Sequence, residues 1–331
     1  MIMFLKKLLL SLILSLALIQ SQAQQSVSFR GQIKNAKADE SIYFALEGML
    51  IQLKLQDNGA FLISTSLQQL PACFFIASIT TKGKIEQHTP KIWFDKDSIK
   101  IDIDWVDKTF QVADKMSYQS ISEKIESLKG NQQNQFMLSN SVNIPILYFV
   151  NENKNDIPVP DLEIFSQNVD TLYRGSTYFK KIEAYINAKK RKPLKIGDKV
   201  ANFSLPNRDG NPVSVINESG KTKLVTFFSS GCSFSISSIS LLEQLEKINN
   251  GKIEIITVWA DDSKNSWLNE HLDQKSKITW VNVWDEYHFA STYFNNTGWP
   301  TFYVINAEGR LIDSFFGYKQ KTANKLKELI K

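Results

Sequence analysis

Residues 224–235 read LVTFFSSGCSFS, and this stretch decides the fold of the C-terminal part of the chain. An apolar run of strand length ends at Phe228, and Cys232 follows after a turn of three residues. Residues 233–249 then place apolar side chains at helical spacing. A buried strand followed by a helix is typical of a sheet that is covered by helices.

The same alternation continues to the C-terminus. Four further elements are predicted, in the order strand, helix, hairpin and helix, at residues 253–258, 263–272, 302–316 and 322–330. The sequence therefore predicts an α/β domain over residues 193–331. In this domain, residues 223–228 and 253–258 are expected to form neighbouring parallel strands.

From residue 24 to residue 115, apolar and polar residues mostly alternate, which is the period of a half-buried strand. Residues 51–63 alternate on both sides of an Asp57-Asn58-Gly59 turn and predict a hairpin. Six or more such short strands predict an N-terminal antiparallel β-sandwich. We expect this β-rich domain to be a module that binds a partner or dimerises with a second copy of the chain.

Residues 116–192 change to helical spacing and end in a basic run, residues 189–192, directly before Pro193. Because proline ends helices, this pattern predicts a helical connector. The whole chain is therefore expected to be an α+β protein of two domains, with the β-sandwich, the connector and the α/β domain in that order.

Residues 1–23 are typical of a secretory signal peptide. Lys6 and Lys7 precede a short apolar run, which Ser21-Gln22-Ala23 ends with small residues at the −3 and −1 positions. This run of about 12 residues is too short to cross a bilayer. Cleavage after Ala23 predicts a periplasmic or exported protein with no stable membrane insertion. Since no cysteine follows the cleavage site, no lipid attachment is expected there.

The composition excludes several classes of protein. Of 331 residues, 43% are hydrophobic and 22% are charged, which is typical of a globular chain rather than a disordered or disulfide-dense one. The formal net charge is +5, and Lys6 and Lys7 contribute two of these charges. The basic run at residues 189–192 is too short for a nucleic-acid footprint. We expect no nucleic-acid partner, no cofactor and no metal.

Two segments carry candidate chemistry. Cys232 is expected at the first turn of a helix, where unpaired amides and the helix dipole stabilise a thiolate. A buried and inert cysteine fits the same position, and position alone leaves both open. The second segment, Gly298-Trp299-Pro300-Thr301, stands directly before a predicted strand. Proline at such an entrance favours a kinked or cis turn.

The order and spacing of these segments resemble the TlpA/ResA-type family of exported thiol–disulfide oxidoreductases, which has the thioredoxin fold. The segments that carry the resemblance are residues 196–205 (IGDKVANFSL), 209–213 (DGNPV), 224–232 and 299–301. The resemblance covers about residues 194–331. It implies that Pro300 is cis, that its loop faces Cys232, and that Trp299, Pro300 and Thr301 contact a substrate.

The redox motif departs from the family's Trp-Cys-x-x-Cys pattern and reads Gly231-Cys232-Ser233-Phe234-Ser235. Ser235 stands where the family has its resolving cysteine, and Thr226 stands where the family often has a buried acid. In a dithiol enzyme, one thiolate forms a mixed disulfide and the second thiol displaces it. Ser235 cannot make that displacement, but its hydroxyl is expected to hydrogen-bond the Cys232 sulfur and help hold it as thiolate.

Three hypotheses follow. In the first, Cys232 exchanges as a monothiol with exported thiol- or disulfide-containing proteins, and an external thiol resolves the mixed disulfide. In the second, Cys232 is a sensor that is oxidised to sulfenic acid. In the third, the domain is a redox-inactive scaffold that binds an extended polypeptide near Trp299-Pro300. A peroxiredoxin is disfavoured, because the proline of its Pro-x-x-x-(Thr/Ser)-x-x-Cys motif is absent from residues 225–231.

Cys73 is the only other cysteine in the sequence. It lies in an apolar run, residues 72–76, that predicts a strand of the N-terminal domain. We therefore expect Cys73 to be a core side chain and not the disulfide partner of Cys232.

Overall fold

The computed structural model describes residues 25–37, 40–46, 49–67, 70–80, 84–112 and 119–328. The predicted signal peptide, residues 1–23, lies outside these described residues. The chain divides into two compact units between Leu128 and Lys129. We call them the N-terminal unit and the C-terminal unit.

The N-terminal unit is rich in β-strands, as predicted. In the described residues it contains nine strands and one helix: β1 (Gln25–Lys34), β2 (Ile42–Leu46), β3 (Met49–Gln52), β4 (Ala60–Leu67), β5 (Ala72–Ile79), β6 (Ile85–His88), β7 (Ile92–Phe94), β8 (Ser98–Asp104), β9 (Thr109–Val112) and α1 (Gln119–Ser127). The strands form two sheets. One has the order β4-β1-β8-β9, and the other has the order β3-β2-β5-β6, with β7 also paired to β5. The strands on either side of the Asp57-Asn58-Gly59 turn, β3 and β4, therefore lie in different sheets, and the prediction of a hairpin over residues 51–63 is wrong.

One pairing corrects the expectation of a purely antiparallel arrangement. β1 and β8 are parallel, with Gly31 opposite Ile101, whereas the other described pairings of this unit are antiparallel. Parallel neighbours require a long connection between them. Here all strands of the second sheet lie between β1 and β8 in the sequence. The alternation of apolar residues within β8 does not show whether β8 runs parallel or antiparallel to β1.

Both sheets contribute to one apolar core. Phe29 from β1 packs with Phe44, Phe74 and Phe94 from the other sheet, and their ring centroids lie between 4.6 and 5.8 Å apart. Successive strand residues point to opposite faces, so alternate residues of each strand enter this core. Burial of each such side chain contributes roughly 1.5–3 kcal/mol. Cys73, in β5, is also buried, as expected.

The C-terminal unit begins with four helices, α2 (Asn131–Ser139), α3 (Ile144–Asn153), α4 (Val159–Gln167) and α5 (Thr177–Lys189), with short 3₁₀ turns at Lys154–Asp156 and Thr171–Tyr173. The helical spacing of residues 116–192 thus corresponds to helices in the described part, and the first of these, α1, groups with the N-terminal unit. Ser176 begins α5 as its cap, because its hydroxyl accepts the Phe179 N–H at 3.2 Å.

Strands and helices then alternate, with four elements beyond the predicted ones (residues 204–206, 212–214, 281–284 and 289–293) and with two short helices where one was predicted over residues 263–272. They are β10 (Ser204–Pro206), β11 (Pro212–Ser214), β12 (Thr222–Phe228), α6 (Ser233–Ile248), β13 (Ile253–Trp259), α7 (Lys264–Asn269), α8 (Leu272–Lys275), β14 (Val281–Trp284), α9 (Phe289–Tyr293), β15 (Thr301–Ile305), β16 (Leu311–Phe316) and α10 (Gln320–Glu328). The main sheet has the order β14-β13-β12-β15-β16. The predicted parallel pairing of β12 with β13 is confirmed.

β12 is the central strand and is buried on both faces. Val225 and Phe227 belong to the core on one side of the sheet, and Leu224 and Phe228 belong to the core on the other side. This arrangement explains why apolar residues face both sides of the strand, because a strand with helices on both faces has no solvent side. In the described residues, no helix is both long enough and apolar enough to span a membrane.

A substitution at Gly31 tests the close approach of β1 to its parallel neighbour β8. A Cβ atom added at this position would lie 1.6 Å from the Ile101 carbonyl oxygen, so Gly31→Ala forces β1 and β8 apart. We expect Gly31→Ala to lower the free energy of unfolding by about 3 kcal/mol. Chemical denaturation of the full chain measures this loss.

Arg30→Ala is the matched control, because Arg30 is exposed on the same strand. It should change the free energy of unfolding by less than about 0.5 kcal/mol. Equal stability of the two variants would contradict the close approach of β1 to β8.

Candidate functional site

Cys232 lies where β12 passes into α6. It is the N-terminal cap residue of α6 and has an extended backbone, with φ −106° and ψ 109°. Its carbonyl oxygen accepts the Ile236 N–H at 3.2 Å, and its own N–H donates to the Ser229 carbonyl oxygen at 3.1 Å. The predicted place of this cysteine at the start of a helix is confirmed.

The thiol of Cys232 contacts the loop that precedes β15. Its Sγ donates a hydrogen bond to the Trp299 carbonyl oxygen at 3.4 Å. The Trp299–Pro300 peptide bond is cis, as the resemblance implied. Thr301 opens β15, and its hydroxyl donates to the Gly298 carbonyl oxygen at 2.7 Å. The structure therefore brings Cys232 and residues 299–301 together, and substrate binding by these three residues stays a prediction.

Strand pairing explains why these segments meet. β12 and β15 are antiparallel, with Phe227 opposite Thr301. The C-terminal end of β12 therefore lies beside the N-terminal end of β15. Residues that follow β12 in the sequence, including Cys232, reach residues that precede β15.

Ser235 has a different partner from the expected one. It is fully buried, and its hydroxyl oxygen accepts the Ser229 N–H at 3.3 Å rather than a hydrogen bond with the Cys232 sulfur. The reason is that the backbone leaves the sheet after Phe228, and the partly buried amide of Ser229 needs an acceptor. Ser235 thus holds the turn before the thiol. The described hydrogen bond of its hydroxyl goes to Ser229, so the expected hydrogen bond to the Cys232 sulfur is not formed.

Thr226 occupies the buried place where an acid was considered. Its hydroxyl lies 3.3 Å from the Ile256 carbonyl oxygen and 3.4 Å from the Thr257 hydroxyl. Thr257 in turn accepts the indole N–H of Trp280 at 2.7 Å. This part of the core beneath the turn is therefore neutral and hydrogen-bonded, and it offers no carboxylate for proton transfer.

Charge is instead buried directly beside the turn. Asp261, which follows β13, accepts the Ser230 N–H at Oδ1 and the Ser230 hydroxyl at Oδ2, both at 2.7 Å. Lys275, the last residue of α8, donates to the Ser230 hydroxyl oxygen at 2.6 Å. We call these three residues the Ser230–Asp261–Lys275 cluster. They are 1%, 6% and 1% exposed, respectively.

Burial acts on both charged members of the cluster. It raises the pKa of the Asp261 carboxyl, while the hydrogen bonds from Ser230 and the charge of Lys275 oppose this rise. It lowers the pKa of Lys275 to about 8, while the charge of Asp261 opposes this fall. The ammonium group also lies 4.4 Å from the ring centroid of Trp259, in a cation–π arrangement.

None of the three residues of this cluster was predicted as a site residue from the sequence. The position of Asp261 could have been inferred, because Asp261 follows a strand predicted to be parallel to the strand that leads to Cys232. The C-terminal ends of parallel strands meet at one edge of a sheet, where ligand and active sites also lie. Lys275 carried no signal, because residues 273–277 (DQKSK) read like any exposed polar stretch.

Three exposed aromatic residues belong to the segments around the thiol or to the strand that follows them: Phe234 in the first turn of α6, Trp299 in the loop before β15, and Phe316 at the end of β16. We call them the aromatic rim. They are 57%, 39% and 65% exposed. The Phe316 ring lies against Gly298, where a side chain would collide with it, and the neighbouring Gly317 donates its N–H to the Pro300 carbonyl oxygen at 2.8 Å. Exposed aromatic side chains gathered on neighbouring segments are typical of interaction surfaces.

Comparison with known proteins gives a match for this unit. Residues 195–330 match the Redoxin family model, and this range contains the main sheet, Cys232 and the Trp299–Pro300 loop. The match and the sheet topology agree that the C-terminal region is thioredoxin-like. No curated protein matches the chain.

Several solved structures are similar to this region. A putative thiol:disulfide interchange protein DsbE from Chlorobium tepidum is 19% identical over 41% of this chain and 96% of its own, with a TM-score of 0.37. The thioredoxin domain of a thiol-disulfide oxidoreductase from Bacteroides vulgatus is 20% identical over 42% and 99%, with a TM-score of 0.37. StoA from Bacillus subtilis is 20% identical over 40% and 100%, with a TM-score of 0.33.

The lowered pKa of Lys275 predicts a signed pH dependence of stability. Its pKa falls from 10.5 to about 8 on folding, so the folded state carries a cost for the charged form below about pH 8. That cost disappears as pH rises from about 8 to about 10.5. By linkage, the contribution of Lys275 to the free energy of unfolding rises by on the order of 2–3 kcal/mol across this window.

Lys275→Met removes this contribution. The stability of the natural protein minus that of Lys275→Met should therefore grow as pH rises from 8 to 10.5, as measured by denaturant unfolding. Lys264→Met is the control, because Lys264 is exposed at the start of α7, and its difference should stay flat. A flat difference for Lys275→Met would show that this lysine is not held in a desolvated site.

Proposed function

We propose that this protein is an exported, thioredoxin-like monothiol that exchanges disulfides through Cys232. The observation that carries the proposal is the single thiol, 3.4 Å from the Trp299 carbonyl oxygen beside a cis-proline, with a buried serine three residues later. The TlpA/ResA-type family remains the proposed branch. Export is proposed from the signal-like residues 1–23.

The chemistry begins with the thiolate of Cys232. It attacks one sulfur of a substrate disulfide, a new Cys232–substrate disulfide forms, and the second substrate sulfur leaves as a thiolate that takes up a proton. Ser235 has no sulfur and cannot displace the bound substrate. An external thiol therefore attacks the mixed disulfide and releases Cys232. Where the external thiol belongs to the same substrate, the net reaction is isomerisation without oxidation or reduction.

The surroundings of the thiol favour polypeptide substrates. The aromatic rim offers apolar contacts beside the sulfur, and residues 299–301 lead directly into β15. We propose that Trp299, Pro300 and Thr301 contact exported thiol- or disulfide-containing proteins. The N-terminal unit, proposed as a β-sandwich, is assigned the role of a module that binds a partner or dimerises.

A redox-inactive scaffold is the second candidate. The neutral surroundings of Thr226 favour it, because no carboxylate lies there to take up or supply a proton during exchange. In this alternative, the aromatic rim and the Trp299–Pro300 loop hold an extended polypeptide without covalent chemistry. A sensor thiol that forms sulfenic acid is distinguished by its reaction with peroxide rather than with disulfides.

Treatment of the native protein with glutathione disulfide tests the proposal. We expect one glutathione adduct, on Cys232, because this residue is partly exposed whereas Cys73 is 7% exposed. Mass spectrometry of the intact and digested protein locates the adduct. Cys73→Ala should keep it and Cys232→Ser should lose it. Absence of the adduct from the native protein would refute monothiol exchange and favour the scaffold.

Ser235→Cys tests whether only the resolving thiol is missing. Residues three apart on a helix are neighbours on one face, so the introduced thiol and Cys232 should form an internal disulfide. The variant should then reduce insulin in the presence of dithiothreitol, more weakly than dithiol enzymes of the family because Thr226 and Gly231 remain. The natural sequence should not reduce insulin.

Ser237→Cys is the matched control. It adds a second thiol to the same helix at an exposed position five residues from Cys232, which is not a neighbouring position on the helix surface. It should form no internal disulfide and give no insulin reduction. If Ser235→Cys behaves like this control, the site has lost more than its resolving thiol.

A further inference from the structure

The Ser230–Asp261–Lys275 cluster is a completed hydrogen-bond network. Lys275 has three donors, and they go to the Ser230 hydroxyl at 2.6 Å, the Ser266 carbonyl oxygen at 2.8 Å and the Trp267 carbonyl oxygen at 2.7 Å. Asp261 accepts two hydrogen bonds from Ser230 and a third from the Ser229 hydroxyl at 3.3 Å. Both charged groups are therefore fully engaged within the fold.

The network is joined to the thiol through the backbone of the turn that precedes Cys232. Ser229 and Ser230 belong to the three-residue turn that connects β12 to Cys232. Within this turn, the Ser229 carbonyl oxygen accepts the Cys232 N–H at 3.1 Å, and the Ser229 N–H donates to Ser235. A displacement of Ser230 therefore also moves its neighbour Ser229, whose carbonyl oxygen holds the Cys232 N–H.

We propose that Ser230, Asp261 and Lys275 are positioning residues that hold the Cys232 turn against the Trp299 carbonyl oxygen for disulfide exchange. This inference rests on the proposed function. The three side chains are buried, so they do not touch a substrate. They act through the backbone of the turn, and the ionic form of the network is the one that holds it.

The ionic form depends on pH. Neutral Lys275 has two N–H donors for three acceptors, so its deprotonation removes one hydrogen bond of the network. The charged groups that act on Lys275 are Asp261 after β13, Glu270 after α7 and Arg208 between β10 and β11. Asp261 and Glu270 favour the charged form and Arg208 opposes it, and burial sets the pKa of Lys275 at about 8.

The test compares the natural protein with Lys275→Met in the reaction of Cys232 with glutathione disulfide. Rate constants are measured from pH 7 to pH 9.5 by mass spectrometry. The pH dependence of iodoacetamide alkylation gives the thiolate fraction of Cys232 in each protein, and the rate constants are divided by that fraction, so their ratio reports on positioning by Lys275. We expect the natural protein to react about tenfold faster at pH 7, since small displacements of a reacting group have effects of this size or larger. The ratio should decrease as pH rises to 9.5, because neutral Lys275 loses part of the network that Lys275→Met lacks entirely.

This pH profile distinguishes positioning from a purely structural role. The stability of the natural protein relative to Lys275→Met should rise as pH rises above 8, whereas its rate relative to Lys275→Met should fall. Lys264→Met should give a ratio of one throughout. A ratio for Lys275→Met that is flat with pH, or a rate equal to that of the natural protein, would overturn the positioning role.

Ser230 provides a second test that does not depend on Lys275→Met being folded. Ser230→Ala removes the hydroxyl that joins Asp261 to Lys275 and should lower the rate at pH 7 by about as much as Lys275→Met. Ser230→Thr keeps a hydroxyl and should recover most of the rate. Equal rates for Ser230→Ala and the natural protein would overturn the proposal.

Failure of the proposed function has a different signature. If the natural protein forms no glutathione adduct, disulfide exchange is refuted, and the same variants are compared by alkylation of Cys232 with iodoacetamide. A pH-dependent ratio in alkylation would keep the positioning role, and a ratio of one would remove it. The two proposals therefore fail on separate measurements.

Discussion

The central position of β12 is the constraint on which the C-terminal unit depends. Its parallel pairing with β13 and its antiparallel pairing with β15 bring three chain segments to one edge of the sheet. They are the turn after β12, the residues after β13 and the loop before β15. Apolar packing on both faces of β12 fixes this edge, because neither neighbour can shift without exposing buried side chains. The thiol, the charged cluster and the cis-proline loop meet there for this reason.

The site has one thiol where the resemblance implied two, and several buried hydrogen bonds hold the turn that carries it. A serine replaces the second thiol expected from the family, and that serine is used to satisfy a backbone amide. Thr226, a neutral residue, occupies the buried position below the turn. The charged groups lie elsewhere, because Asp261 follows the neighbouring strand β13 and Lys275 ends α8. Buried charges need hydrogen bonds and compensating charge, and Asp261 and Lys275 are linked through the Ser230 hydroxyl, with each charge favouring the charged form of the other.

Much of this arrangement could be predicted from the sequence, and the remainder has identifiable physical causes. The strands over residues 223–228 and 253–258 and the start of α6 follow from local apolar spacing. The cis bond at Pro300 came from the resemblance. The parallel pairing of β1 with β8 could not be predicted, because strand direction in a sheet depends on the path of a long connection. The partner of Ser235 and the place of Lys275 also depend on tertiary packing, which leaves no trace in local spacing.

Asp261 extends the pairing of β12 with β13 beyond its backbone limit. The last backbone bond at this end joins the Ala260 N–H to the Phe228 carbonyl oxygen at 2.9 Å. After it, the turn diverges from the strand direction and its amides lose their partners in the sheet. The carboxylate of Asp261 then accepts the Ser230 N–H, two residues past the end of β12, and Lys275 balances its charge. Side-chain hydrogen bonds thus continue the sheet up to the residue before Gly231 and Cys232. A thiol beyond the end of a strand is held in this way without a further strand beside it.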